Sequence, residues 1–427
     1  MTSLSLAFGF EFSDLYTRDG LLRLDAAFRK ALEAADPALA ARLEAARANP
    51  DALPPKAESE LLIALAPHLE DFIGELFGIR AEIAALAARH HELAPVYECR
   101  RRFVQRKALR QVKAEEAAAL DGAALEQALS AKFGEPLTEL SFTRHVMEWL
   151  KNEAAHADEL ALAARYAAWA TVTEAGRARH PNSPLFKNPA SLDPMRLITH
   201  MHTTTDAGYA VHTIDASRLR RREGFALTDP GTDLAGALSE THYCIWCHEQ
   251  GKDSCSKGLR EKSKDPAAPP VFKKSALGVT LAGCPLEEKI SEFHKLKTEG
   301  CAIGALAMIA VDNPMVAGTG HRICNDCMKA CIYQKQDPVN IPQAETRTLK
   351  DVLELPWGFE VYSLLTRWNP LNLRRPYPRP ATGKRVLVAG MGPAGFTLAH
   401  HLLNDGHTVV GIDGLKIEPL DPALSGV

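Results

Sequence analysis

The sequence has no apolar run approaching the roughly 18 residues needed to cross a bilayer, and its N-terminus, MTSLSLAFGFEFSDLY, lacks the basic start and small-residue cleavage site of a secretory signal. These absences predict no membrane insertion and a cytoplasmic location. It also lacks a strong charge of either sign. A net charge of -3 and a pI of about 6.6 give no electrostatic ground for nucleic acid or an anionic membrane as partner. Basic clusters such as Arg100 to Arg102 read as solvated helix faces. No G-x-S-x-G or H-E-x-x-H occurs, so hydrolase chemistry has no support. Cysteine is nearly absent from most of the chain: of nine, Cys99 stands alone and eight lie between Cys244 and Cys331. In a reducing cytoplasm such clustering favours metal over disulfides.

What is present divides the 427 residues into segments of different texture. Residues 1–235 read as a helical domain of unknown role with an irregular boundary region. Leu62, Leu65, Leu69, Phe72, Ile73 and Leu76 recur at the helical period, with Pro67 marking a boundary or kink. Further helices are predicted over 100–120 and 141–173, and residues 180–241, punctuated by Pro, Asn, Asp and Gly, read as irregular connection. Residues 236–365 hold the cysteines, with helices predicted over 286–298, opening directly after Cys284-Pro285, and 301–312. A Pro-rich linker covers 366–383. Residues 384–427 read as strand Arg385 to Ala389, a glycine-rich turn, helix Phe396 to Leu403 and strand Thr408 to Ile412. The fold class expected is mainly α, closing on the first βαβ unit of a Rossmann-like domain.

Seven thiols carry the chemistry: Cys244-Ile-Trp-Cys247, Cys255, Gly283-Cys284-Pro285 and Cys324-Asn-Asp-Cys327-Met-Lys-Ala-Cys331. Thiolates suit iron–sulfur clusters or zinc, and a CxxC pair converges on one centre from a tight loop. One zinc takes four ligands, whereas seven thiols and one further residue would fill two four-iron cubanes, so the pattern leans to iron with zinc left open. Cys301, at a helix start, reads as a buried apolar thiol. His200-Met-His202 with His212 offers an HxH pair, but without an evident carboxylate pattern these read as loop or core histidines. His90 and His91, adjacent on a helix, point about 100° apart and are unsuited to joint ligation.

The segment from Tyr243 to Leu353 resembles the N-terminal iron–sulfur domain shared by the small subunit of bacterial glutamate synthase and by dihydropyrimidine dehydrogenase. The order of CxxC pair, third Cys, Gly-Cys-Pro, helical spacer, second Cys group and Asp337-Pro-Val339 is complete. The resemblance implies that Cys244, Cys247, Cys255 and Cys331 hold one [4Fe-4S] cluster, and Cys284, Cys324 and Cys327 the other. Matching on Val339-Asn-Ile341 implies Glu345 as its fourth ligand, with Gln343 the next choice. Two departures are an insertion between Cys255 and Cys284 and a tighter spacing of Cys324 to Cys327.

Gly390-Met-Gly392-Pro393-Ala394-Gly395 sits between a strand and a helix, the context a dinucleotide fingerprint requires. Asp413, about 20 residues on, is positioned for a ribose hydroxyl. The GxGPAG wording resembles the FAD site of the same family. Only the first βαβ unit is present, so a fragment of a longer enzyme is expected. The resemblance implies an iron–sulfur flavoprotein oxidoreductase passing electrons between NAD(P)H, FAD and a partner domain or subunit. The competing expectation is a zinc-stapled, non-enzymatic scaffold.

Overall fold

The leucine stripe at residues 62–76 forms one face of a 23-residue helix, Pro55–Phe77, and buries Leu62, Leu65, Leu69 and Ile73 completely. Pro67 does not interrupt it. A helix-interior proline costs about 3 kcal/mol, less than several buried leucines contribute at about 1.5–3 kcal/mol each. Gly78, at φ 67, ends the helix in a left-handed turn that an L side chain disfavours.

The computed structural model describes residues 4–181, 183–189, 193–196, 198, 201–216, 219, 224, 229–262 and 271–414. The protein is mainly α-helical, with two two-stranded sheets among the described residues. Its larger apolar core joins residues from Phe10 to Leu86 with residues from Cys255 to Leu373, so the N-terminal helices and the cysteine segment share one interior. At its centre Trp368 meets Phe28 and Phe72 at ring-centroid distances of 6.1 and 5.9 Å. A second core gathers Val96 to Phe186.

Arg100 is no solvated cation: only 4% exposed, it lies over the Tyr97 ring and donates to Ser239 Oγ at 2.7 Å and to the Ser239 and Pro184 carbonyls. The π-helical turn Arg100–Ala108 rotates it inward, while Arg101 and Arg102 stay exposed. The stretch expected as one helix over 141–173 is two, Glu139–Trp149 and Ala157–Val172. Within 180–241, read as irregular, lie an antiparallel hairpin, β1 (Met201–Asp206) and β2 (Tyr209–Ile214), and a helix, Leu234–Tyr243, capped by Asp233. The strands are almost wholly exposed, so no alternation of apolar residues announced them. The helix expected from Leu286 begins at Ile290, because Glu287 adopts a left-handed φ of 50.

The C-terminal unit forms as expected. β3 (Arg385–Ala389) pairs in parallel with β4 (Thr408–Ile412), and the helix Pro393–Asn404 joins them. The Pro-rich stretch before it is fastened: Arg18 Nε donates to the Pro378 carbonyl at 3.0 Å, Arg379 N to the Asn404 carbonyl at 2.8 Å, and Arg375 pairs with Asp405. Among the described residues no helix is long and apolar enough to cross a membrane.

Candidate functional site

Cys244 terminates the Leu234–Tyr243 helix, and Trp246, at φ 53, turns the chain back so that Cys247 opens the short turn Cys247–Gln250. Cys255 lies in the turn Ser254–Lys257, whose cap is Asp253, and Cys331 follows the helix Asp326–Ala330. These four thiols line one small cavity of about 10 Å³, whose other walls include Ile290, Ile332, Val339, Ile341, Ser254 and His294. Tyr243 stacks on Tyr333 beside it, with ring centroids 4.5 Å apart. Burial pushes all four thiols up, Cys247 to about 11 and Cys244, Cys255 and Cys331 likewise upward. Thiols so buried keep their protons unless a cation replaces them.

The backbone N–H of Trp246 points at Cys244 Sγ at 3.4 Å. Several buried polar atoms lack partners: Ser254 Oγ and both ring nitrogens of His294 on the cavity wall, and Tyr243 OH and Trp246 Nε1 on residues flanking the first CxxC turn. Burial lowers His294 to about 3, so its ring is neutral at physiological pH.

The second thiol group is less completely assembled. Cys284 and Cys327 lie within electrostatic reach of each other and of the buried carboxyls of Glu288 and Glu345. Burial pushes Cys284 up to about 11 and Glu345 up to about 7, while Glu345 Oε1 accepts from Asn313 Nδ2 at 2.7 Å. Cys324 stays exposed at the surface, its Sγ accepting the Asp326 N–H at 3.5 Å. Gln343 is turned away: its Oε1 accepts the Thr232 N–H at 3.1 Å, and it lines a separate polar cavity with Lys187 and Glu240. The Cys284 amide donates to the Cys255 carbonyl at 2.8 Å, tying the two groups together. Among the described residues no three His, Cys, Asp or Glu side chains gather closely enough to hold a single metal ion.

Sequence reasoning missed Glu288 and His294. Glu288 is 4% exposed and its Oε1 has no hydrogen-bond partner. Its place four residues after Cys284 was the available signal, although Glu287, three residues after the same cysteine, lies equally near in sequence. His294 lies on a helix of otherwise ordinary amphipathic pattern, so nothing in the sequence set it apart.

In the glycine turn each residue has a distinct task. Gly390 adopts φ 94, and a Cβ on Gly395 would stand 1.7 Å from the Gly390 carbonyl oxygen, so the helix packs directly on the turn. A Cβ on Gly392 would meet nothing, which leaves the backbone open to approach. Pro393 occupies the first helical turn with Ala394 behind it. Asp413 Oδ2 accepts the Met391 N–H, so the carboxylate braces the turn itself.

His202 and His212 do not converge. His212 pairs across the hairpin with Thr203, which places it on the opposite face from His202, and His202 Nε2 pairs with Asp215 Oδ1 at 2.9 Å. His200 lies outside the described residues. Cys301 is buried at the start of the helix Ala302–Asp312, apart from the thiol cavity.

Fold and site thus define a mainly helical protein with a thiol-lined cavity and a C-terminal βαβ unit whose glycine-rich turn joins strand to helix. Residues 6–78 match the RP005 N-terminal alpha-helical domain. Over 298 residues the chain is 30% identical to the uncharacterised protein RP005 of Rickettsia prowazekii (strain Madrid E), covering 69% of this chain and 99% of that protein. The chain belongs to the RP005 family. Over 106 residues, 25% of this chain, it is 64% identical to the uncharacterised protein RP006 of the same organism, spanning 15% of that protein. Over 128 residues, 30% of this chain, it is 34% identical to the glutamate synthase [NADPH] small chain of Mycobacterium tuberculosis, spanning 23% of that protein. No solved structure matches.

Proposed function

We propose that this chain is the iron–sulfur and flavin-linked part of an electron-transfer oxidoreductase. Cys244, Cys247, Cys255 and Cys331 would hold one [4Fe-4S] cluster, and Cys284, Cys324, Cys327 and Glu345 the second. FAD would sit on the turn Gly390 to Gly395, with NAD(P)H as electron donor or acceptor and a partner domain or subunit at the other end. The similarity over 128 residues to glutamate synthase small chains supports the oxidoreductase class. The observation that carries the reading is the set of four thiols, the buried Cys247, Cys255 and Cys331 and the half-buried Cys244, around one cavity whose wall also carries the unpartnered Ser254 and His294.

When bound, the cubanes supply one-electron steps and the flavin accepts a hydride as an electron pair. The chain's own side chains set the conditions. The buried Ile290, Val339 and Ile341 wall the thiols with apolar surface, and backbone amides at Trp246 and Asp326 donate to Sγ of Cys244 and Cys324, both levers on reduction potential. Cys324 would reach the second group by movement of its exposed segment. Glu345 is preferred to Gln343 because its carboxyl lies with Cys284 and Cys327, whereas Gln343 is engaged with Thr232.

Iron, sulfide and zinc content of anaerobically purified protein tests the reading. About eight iron and eight sulfide per chain, with a brown colour that bleaches on reduction, is the expected result. One or two zinc ions without sulfide would sink it and leave the zinc-stapled scaffold.

A further inference from the structure

The helix Ile290–Thr298 runs along the first thiol cavity, and Ile290 and His294, one turn apart, both line it. His294 has no solvent exposure, and neither Nδ1 nor Nε2 has a hydrogen-bond partner. A buried polar group left unpaired costs about 1–3 kcal/mol, and native interiors pair nearly all of theirs. His248 and His90 each pair one ring nitrogen, His248 Nδ1 with Ser291 Oγ at 2.6 Å and His90 Nδ1 with the Leu86 carbonyl at 2.8 Å, and although His90 Nε2 and His242 Nε2 lack partners, His294 alone among the described histidines has both ring nitrogens on that footing. His294 instead packs edge-on against Phe293, with centroids 4.5 Å apart, and its open side is a cavity walled by apolar side chains and by Cys244, Cys247, Cys255 and Cys331. The acceptor its N–H lacks is therefore to be sought in what those thiols hold, and sulfur is the acceptor such a group offers.

We propose that His294 donates its ring N–H to a sulfur of the cluster held by Cys244, Cys247, Cys255 and Cys331, and so raises that cluster's reduction potential. The inference rests on the functional reading above. Four thiols complete the ligand set of one cubane, which leaves the imidazole as a hydrogen-bond donor. Reduction adds negative charge to the sulfurs, so a donor aimed at them stabilises the reduced state more than the oxidised one. His294 is a positioning and tuning residue.

The test uses the full chain purified anaerobically, as wild type, His294→Leu and His294→Gln, with iron and sulfide analysis followed by redox titration monitored by electron paramagnetic resonance. Both variants are expected to keep about eight iron, with one cluster moved to a more negative midpoint in His294→Leu and the other unmoved. His294→Gln, which restores an N–H, is expected nearer the wild type. Unchanged midpoints with both clusters intact would overturn the proposal, and so would loss of about four iron from both variants, which would make His294 a ligand. Pulsed resonance on wild type labelled with 15N-histidine reads the bond without any variant: a weak nitrogen coupling to a reduced cluster supports it, and absence of coupling overturns it. If the wild type holds no iron or sulfide, the functional reading itself has failed, an outcome visible before any variant is compared.

Discussion

The carboxylate of Glu70, on the helix Pro55–Phe77, accepts the backbone N–H of Ile303 at 2.6 Å, capping from another element the helix Ala302–Asp312. The same Oε2 takes the Gly304 N–H at 3.3 Å. Burial pushes Glu70 from 4.5 up to about 7. Between those values the folded state keeps a proton that the unfolded chain has lost, so the contribution is fully present below about pH 4.5 and disappears as pH rises through about 7. Glu70→Gln retains an acceptor and cannot charge. It is expected to flatten the fall in melting temperature from pH 5 to pH 8 relative to wild type, and an identical fall in both proteins would refute this account.

Lys297 and Asp351 form an ion pair at 2.5 Å with neither side chain exposed, and Arg347 also binds Asp351. Removing Asp351 leaves Lys297 without a counter-charge in the interior, whereas removing Lys297 leaves Asp351 still paired with Arg347. Asp351→Asn alone is expected to lower unfolding free energy by about 3–5 kcal/mol, Lys297→Met alone by less because Arg347 still compensates Asp351, and Lys297→Met with Asp351→Leu to recover a good part of the larger loss. Urea melts of the three variants decide; equal losses in single and double variants would show that the pair is not the cause.

The thiols sort into classes by metal content. Cys244→Ser and Cys331→Ser are each expected to cut iron from about eight to about four per chain, and Cys284→Ser and Cys327→Ser to do the same at the other group. Cys99→Ala and Cys301→Ser should leave the count unchanged, since both are buried apart from the thiol cavity. Glu345→Ala should perturb the second cluster's resonance spectrum while Gln343→Ala does not, and the reverse result would move the fourth ligand to Gln343.

The glycine turn allows folding and ligand binding to be separated. Gly395→Ala puts a methyl against the Gly390 carbonyl and is expected to disrupt the turn, lowering both thermal stability and flavin content. Gly392→Ala meets nothing in the protein and is expected to keep the wild-type melting temperature while losing copurified FAD. Full flavin retention in Gly392→Ala would remove the pyrophosphate from this turn.

Helical period and glycine spacing made the Pro55–Phe77 helix and the β3–helix–β4 unit legible from sequence, because both signals are local. The CxxC spacing of Cys244 and Cys247 is a local signal of the same kind, whereas the grouping of Cys255 and Cys331 with them was implied by a family resemblance. What stayed hidden depends on distance in the fold. Arg100 was misread because its burial follows from Ser239 and Pro184 far along the chain, and Pro67 because its cost is local while the packing that outweighs it is tertiary. Glu288 and His294 have ordinary helical or turn neighbours in sequence, and only the side chains missing around them single them out. The exposure of Cys324 runs against its spacing from Cys327, which a CxxC rule alone would have joined.

The stretch from Trp368 to Gly383 is stitched to its surroundings at several points, among them Arg18 to Pro378, Arg375 to Asp405 and Arg379 to Asn404. Proline-rich chain pinned in this way behaves as a strut and not as a leash. The glycine turn therefore keeps a set standoff from the cysteine-bearing body, and with the proposed flavin and clusters in place any electron hop between them would be unimolecular, its rate indifferent to dilution.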